Sequence, residues 1–195
     1  MASPTLTTPA NDPTNRNAPA WPLWLALGLL FACVGVAVRA VMVSTGGRFV
    51  YALDDAYIHM AMAKNLAQHG VWGCTPFQFS AASSSPLWTA LLGVVFFLTG
   101  VHDVTPLLLN LLLLALSLGV ADAFLRQRSA APLLRAATLV GLVLVFPMPA
   151  MALFGMEHVL HLLLTIAFGA TAITVLADVE SGTAHSPRPP PCCAH

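Results

Sequence analysis

The sequence predicts an all-α polytopic membrane helix bundle, with about four membrane helices and a long first external loop carrying interfacial amphipathic helices. Composition supports this first: 57% of the 195 residues are hydrophobic and only 8% are charged. A soluble domain carries about 25% charged residues, so this chain could not cover a globule with a solvated surface. Periodicity supports it second. Several long apolar runs approach the roughly 20 residues that a spanning helix needs, and one polar segment between them has helical amphipathicity.

The elements follow in chain order. Residues 1–20 are rich in Pro, Thr, Asn and Ala and almost uncharged, which predicts a disordered tail. The tail is too long and polar for the n-region of a signal peptide, so Trp21–Val43 is expected to be an uncleaved first membrane helix. Pro106–Ala121, Leu133–Leu153 and Val159–Ala177 supply the other three spans. Pro86–Thr99 has only 14 residues, about 21 Å of helix against a hydrocarbon core near 30 Å. It is assigned to the interface or to a re-entrant position.

Arginine placement decides that assignment. Arg126, Arg128 and Arg135 form the densest positive cluster, which the positive-inside tendency puts in the cytoplasm. If Pro86–Thr99 does not cross, the N-terminus shares that side and Gly46–Thr105 is one external loop. Glu157 then emerges on the same face as Asp54 and Asp55. Within the loop, Ile58, Met62 and Leu66 recur at i, i+4, i+8. They predict a helix over Asp55–His69 whose apolar face rests on lipid. Asp54 suits its N-cap and Gly70 its C′ stop.

Residues 178–195 break the composition, with a Pro-rich run and Cys192–Cys193, and are expected to be disordered. The ending reads like an out-of-frame one, which predicts a truncated product. No CxxC or Cys/His spacing suggests zinc. A net charge of zero with eight Lys and Arg argues against nucleic acid as a partner. Membrane lipids are the partners that composition implies.

Three short stretches carry a resemblance. "LDDAYIHMAMAKNLAQHG", "SSSPLW" and "GMEH" together resemble the N-terminal part of the polytopic GT-C glycosyltransferases. The bacterial polyprenyl-phosphate-dependent arabinofuranosyl- and mannosyltransferases are the nearest branch. The likeness covers about residues 21–177, and members of that family are much longer. The resemblance implies transfer of a sugar from a polyprenyl-phosphate carrier to a glycan, lipid or protein acceptor at the external face of a bacterial inner membrane. It also implies that Asp54 or Asp55 is the base that activates the acceptor hydroxyl, alone or through a divalent cation held by the pair.

Other residues keep two readings each. His59, one turn after Asp55, binds a phosphate or metal, or is a polar interfacial side chain. Lys64 pairs with a phosphate or is simply solvated. Glu157 lines the site or solvates a helix end. Trp88, with Trp72, Phe77 and Phe79, stacks on a sugar or anchors in the headgroups. As an alternative from another class, a small transporter or channel subunit would use the membrane-edge carboxylates for protons or cations. A non-catalytic membrane protein is the third reading.

Overall fold

A computed structural model of the protein describes residues 18–184, so the tails expected over residues 1–17 and 185–195 lie outside it. Seven helices fill the described residues: α1 Trp21–Ser44, α2 Asp55–His69, α3 Pro86–Thr99, α4 Thr105–Gln127, α5 Pro132–Val145, α6 Met148–Phe154 and α7 His158–Ala184. Three of them, α1, α4 and α7, are long and apolar enough to cross a membrane, and α5 with α6 makes a bent fourth span. The chain is an integral membrane protein built as a helical bundle.

The expected helices form where the sequence places them, with three differences. Leu133–Leu153 is not one straight span, because Pro147 and Pro149 interrupt it and the two pieces bend by 43°. Proline has no N–H to donate and its ring clashes with the preceding turn, so a continuous helix is excluded there. The fourth helix continues six residues past Ala121 to Gln127, because the charged residues of that stretch find partners inside the bundle. The last helix runs beyond Ala177 to Ala184, so residues 178–184 are helical and not part of a disordered tail.

Burial is arranged for lipid rather than water. Along α1, Ala26, Leu30 and Val34 repeat every four residues and are buried, while Trp24, Val36 and Val43 are exposed. The outer surface of α7 is likewise apolar, with Phe168 at 76% and Leu176 at 64% exposure. In water such a surface would drive aggregation; in a bilayer it is the ordinary exterior.

One end of the bundle is held by an ionic cluster. Asp122, on the extended part of α4, accepts Arg126 Nε at 2.7 Å one turn away on the same helix. Its other oxygen accepts Nε and Nη2 of Arg135 on α5, at 2.9 and 2.6 Å. Asp122 and Arg135 are almost fully buried. Arg126 also donates to the carbonyls of Ala18 and Pro19, which tethers the start of α1 beside the end of α4 and the start of α5. We call this the arginine end.

The opposite end, the site end, closes around Tyr51. Its hydroxyl donates to Asp103 O at 2.7 Å and accepts the N–H of Leu107 at 3.0 Å. Leu107 lies in the first turn of α4, whose N–H groups have no helical partner. The excursion from Gly46 to Val104 therefore leaves and returns at the same end, and α3 does not carry the chain across. This is the arrangement expected from the arginines. Ala52 N–H on Leu153 O brings the end of α6 to the same place.

Inside the excursion, α2 packs chiefly on α3. Its buried side is Ala56, His59, Met60, Met62, Ala63 and Asn65. The expected lipid-resting face of Ile58, Met62 and Leu66 is corrected accordingly: Met62 is fully buried against protein. The α3 helix covers Met62 and part of Leu66, because Gly93 leaves room for Leu66 to close against it, while Ile58 stays exposed. Gly70 ends α2 in the left-handed conformation with φ 67°, as the sequence suggests.

Candidate functional site

At the site end three segments far apart in sequence meet: the first turns of α2, the serine-rich entry to α3, and the Gly155–Glu157 turn before α7. His59 is their centre. Its Nδ1 lies 2.9 Å from Thr89 Oγ1 and 3.3 Å from Ser83 Oγ. Its Nε2 lies 3.4 Å from Ser84 Oγ and 3.5 Å from Glu157 Oε2. The Ser84 hydroxyl donates to Glu157 Oε1 at 3.3 Å.

These contacts fix the proton order. Ser84 donates its hydroxyl hydrogen to Glu157 Oε1, so its oxygen accepts from Nε2–H of the neutral ring, while Glu157 Oε2, 3.5 Å from Nε2, has no hydrogen-bond partner among the described residues. Nδ1 is then an acceptor for the Thr89 hydroxyl. Thr89 in turn accepts from Ser83 at 2.8 Å, and Ser83 from the Ser85 N–H at 3.2 Å. A single chain of polar groups thus runs from the α3 entry through His59 to Glu157.

Burial of His59 holds its imidazole below the ordinary range, against the opposing pull of the Glu157 and Asp55 carboxylates. The folded protein keeps this ring neutral where an unfolded chain would charge it. Below pH about 6.5 the unfolded state binds the extra proton, so stability falls as pH drops and is fully present above that value. The unfolding midpoint of the wild type in detergent should therefore decline more steeply from pH 6.5 to 5 than that of His59→Gln. Equal slopes would show that His59 does not titrate with folding.

The remaining candidates divide by exposure. Asp54 and Asp55 are exposed at the start of α2, and Lys64 is exposed five residues beyond His59. Asp54 stands at the N-cap position, but its side chain makes no cap bond; its carbonyl takes the Tyr57 N–H instead. That corrects the expected capping role and leaves its carboxylate free. Glu157 is 6% exposed and His59 1%. Both are enclosed by protein and do not line an open site, unlike their expected place. His59 is not the interfacial side chain of its alternative reading either.

Trp88 is a larger correction. It is fully buried, and its indole N–H donates to Gly155 O at 3.3 Å. It neither stacks on a ligand nor anchors in headgroups; it is the core of the α3–turn contact. The ring enters that core because α3 and the Gly155 turn close over it from both sides. Phe77 and Phe79, at 90% and 73% exposure, do project outward. Gly155 permits the junction twice over. Its φ is 66°, and a Cβ there would stand 2.6 Å from the Tyr51 ring.

His158 and His161 are exposed, whereas Glu157 is buried. Among the described residues no three His, Cys, Asp or Glu side chains are grouped to hold a metal ion. The acidic pair therefore does not by itself make a protein-built cation cage.

Sequence reasoning missed Asp122, Ser83, Ser84 and Thr89 as placed groups. Asp122 had a usable signal, an Arg four residues on; Ser83 and Ser84 stood in the "SSSPLW" stretch, but no local spacing shows the hydroxyls' partners, which lie 24 to 73 residues away. No protein-family model matches the chain, and comparisons with curated proteins and with solved structures find no match.

Proposed function

We propose that the chain is the N-terminal part of a membrane glycosyltransferase of GT-C type, moving a sugar from a polyprenyl-phosphate carrier to an external glycan, lipid or protein acceptor. One observation supports this reading above others. The three stretches that carry the resemblance, separated by up to about a hundred residues, are bonded to one another at one end of the bundle: His59 to Ser84, Ser84 to Glu157, Trp88 to Gly155. They form a rigid platform, and the two exposed carboxylates stand on its first turn.

The chemistry asked of that platform is proton removal. A hydroxyl attacking the anomeric carbon of a lipid-linked sugar loses its proton as the new glycosidic bond forms and the phosphate leaves. Asp54 or Asp55 takes that proton, and a positioned base contributes about 10²- to 10⁴-fold in rate. Arg48 and Lys64, both exposed, are the cations of the excursion available to the departing phosphate.

The same reading places the arginine end in the cytoplasm of a bacterial inner membrane, with the N-terminus there, because Arg126, Arg128 and Arg135 gather at it. A transporter or channel subunit is the second reading, favoured by the broken α5–α6 span, since transport sites sit on interrupted helices.

The test is transfer of a labelled sugar from polyprenyl phosphate in membranes that contain the protein. Asp54→Asn or Asp55→Asn should lower the rate by about 10²-fold or more, with Lys64→Met a smaller loss. Undiminished transfer by both single variants and the double would overturn the assignment.

A further inference from the structure

Between the last two turns of α4 and the middle of α7 lies a groove of about 340 Å³, within the roughly 300–1,000 Å³ of small-ligand pockets. Val120, Ala123, Phe124 and Gln127 stand in one wall, and Thr171 and Thr174 in the other. Both threonine hydroxyls donate to carbonyls of their own helix, Ala167 O and Ala170 O, at 2.8 Å. That wall has no donor left to offer. Apart from Gln127 at its end, the groove is a slot suited to hydrocarbon.

A cation stands over the slot. The Arg128 guanidinium lies 5.3 Å from the centroid of the Phe124 ring, and that ring is part of the groove wall. Arg128 is exposed. Across residues 120–135 three arginines share one carboxylate, Asp122, which accepts Arg126 on one oxygen and Arg135 on the other. Neither oxygen is left for Arg128, and no carboxylate among the described side chains pairs with it. Its backbone is fixed, since the N–H groups of Arg128, Ser129 and Ala130 bond to the carbonyls of Phe124, Arg126 and Leu125. The 23 residues of α4 measure about 35 Å, which brings Arg128 to the edge of a hydrocarbon core about 30 Å thick. Lipid phosphates lie at that level.

We propose that the α4–α7 groove binds one anionic phospholipid, with an acyl chain in the slot and the phosphate on Arg128 and the Gln127 amide. A guanidinium presents paired donors that match phosphate oxygens, and basic pockets between membrane helices collect anionic headgroups. The groove lining holds no carboxylate to receive a choline or ethanolamine nitrogen, so a net negative headgroup is the one that fits. The site lies at the arginine end and is independent of the sugar-transfer reading.

The test is photolabelling of the full chain in bilayer nanodiscs, with phosphatidylglycerol or phosphatidylcholine carrying a diazirine in one acyl chain. Labelling of residues 120–127 and 170–175 should be about fivefold higher with the anionic lipid, the preference that one cation at a membrane surface confers. Arg128→Gln should abolish the preference, and Ala123→Phe, which narrows the slot, should lower groove labelling by either lipid. The exposed face of α1 around Phe31 and Val36 reports ordinary lipid contact and should label equally in wild type and variants, which controls for folding. Equal groove labelling by the two lipids overturns the proposal, as it would if Asp178, one turn past Thr174 on α7, neutralises Arg128. A preference that survives Arg128→Gln, or undiminished labelling of Ala123→Phe, overturns it as well. Displacement of the label by soluble glycerol phosphate would make this a site for free phosphate and overturn the lipid assignment.

Discussion

Replacing Asp122 by alanine is expected to destabilise the bundle by about 3–5 kcal/mol, the cost of leaving a buried charge uncompensated. The geometry makes the effect asymmetric. Asp122 serves two arginines, whereas Arg135 has only Asp122, and its Nη1 has no hydrogen-bond partner among the described residues. Removing the acid strands a guanidinium that is 1% exposed. Removing Arg135 leaves Asp122 still paired with Arg126, so Arg135→Met should cost clearly less than Asp122→Ala. The double replacement Asp122→Leu, Arg135→Met should recover most of the loss, because apolar side chains of similar volume substitute well for a buried pair. Equilibrium unfolding in detergent reads all three. An Asp122→Ala protein with the wild-type midpoint would mean that the cluster contributes nothing.

Trp88→Ala should cost a similar amount, about 3–5 kcal/mol, as for other buried aromatic truncations. The indole is fully enclosed between α3 and the Gly155 turn, so its removal leaves a hole that the Tyr51–Gly155 contact cannot collapse into without moving α6. Trp88→Phe separates the two contributions. It keeps most of the ring but strands Gly155 O, at about 1–3 kcal/mol. If the site platform works as proposed, both variants also lengthen the Ser84–Glu157 bond and reduce sugar transfer in the order of their instability. A Trp88→Ala protein as stable as the wild type would place the ring outside the core after all.

The two arrays differ in how they were legible. The ion cluster lies within 13 residues of chain, and its i, i+4 half can be read from spacing alone. The platform lies across more than a hundred residues. Its histidine looked interfacial because its helix belongs to a loop beside the membrane, although His59 shares a helical face with Met62 and Leu66 at i+3 and i+7. Trp88 looked like an anchor for a related reason, since aromatics in loops near a membrane usually sit in headgroups. Both inferences used the nearest solvent as the reference. The actual environment is another helix, which no local pattern announces.

What the sequence by itself determined is the class and the course of the chain: a membrane bundle, the positions of its helices though not the α5–α6 break or the last turns of α4 and α7, and a first excursion that begins and ends at one end of the bundle. Hydrophobic run length against bilayer thickness, the prolines and the position of three arginines suffice for that, because each acts over a few residues. Only the tertiary structure decided which polar groups are enclosed. Burial of His59, Trp88, Asp122 and Glu157 depends on what packs over them from distant helices. That packing is a property of three-dimensional proximity, to which residue order carries no direct key.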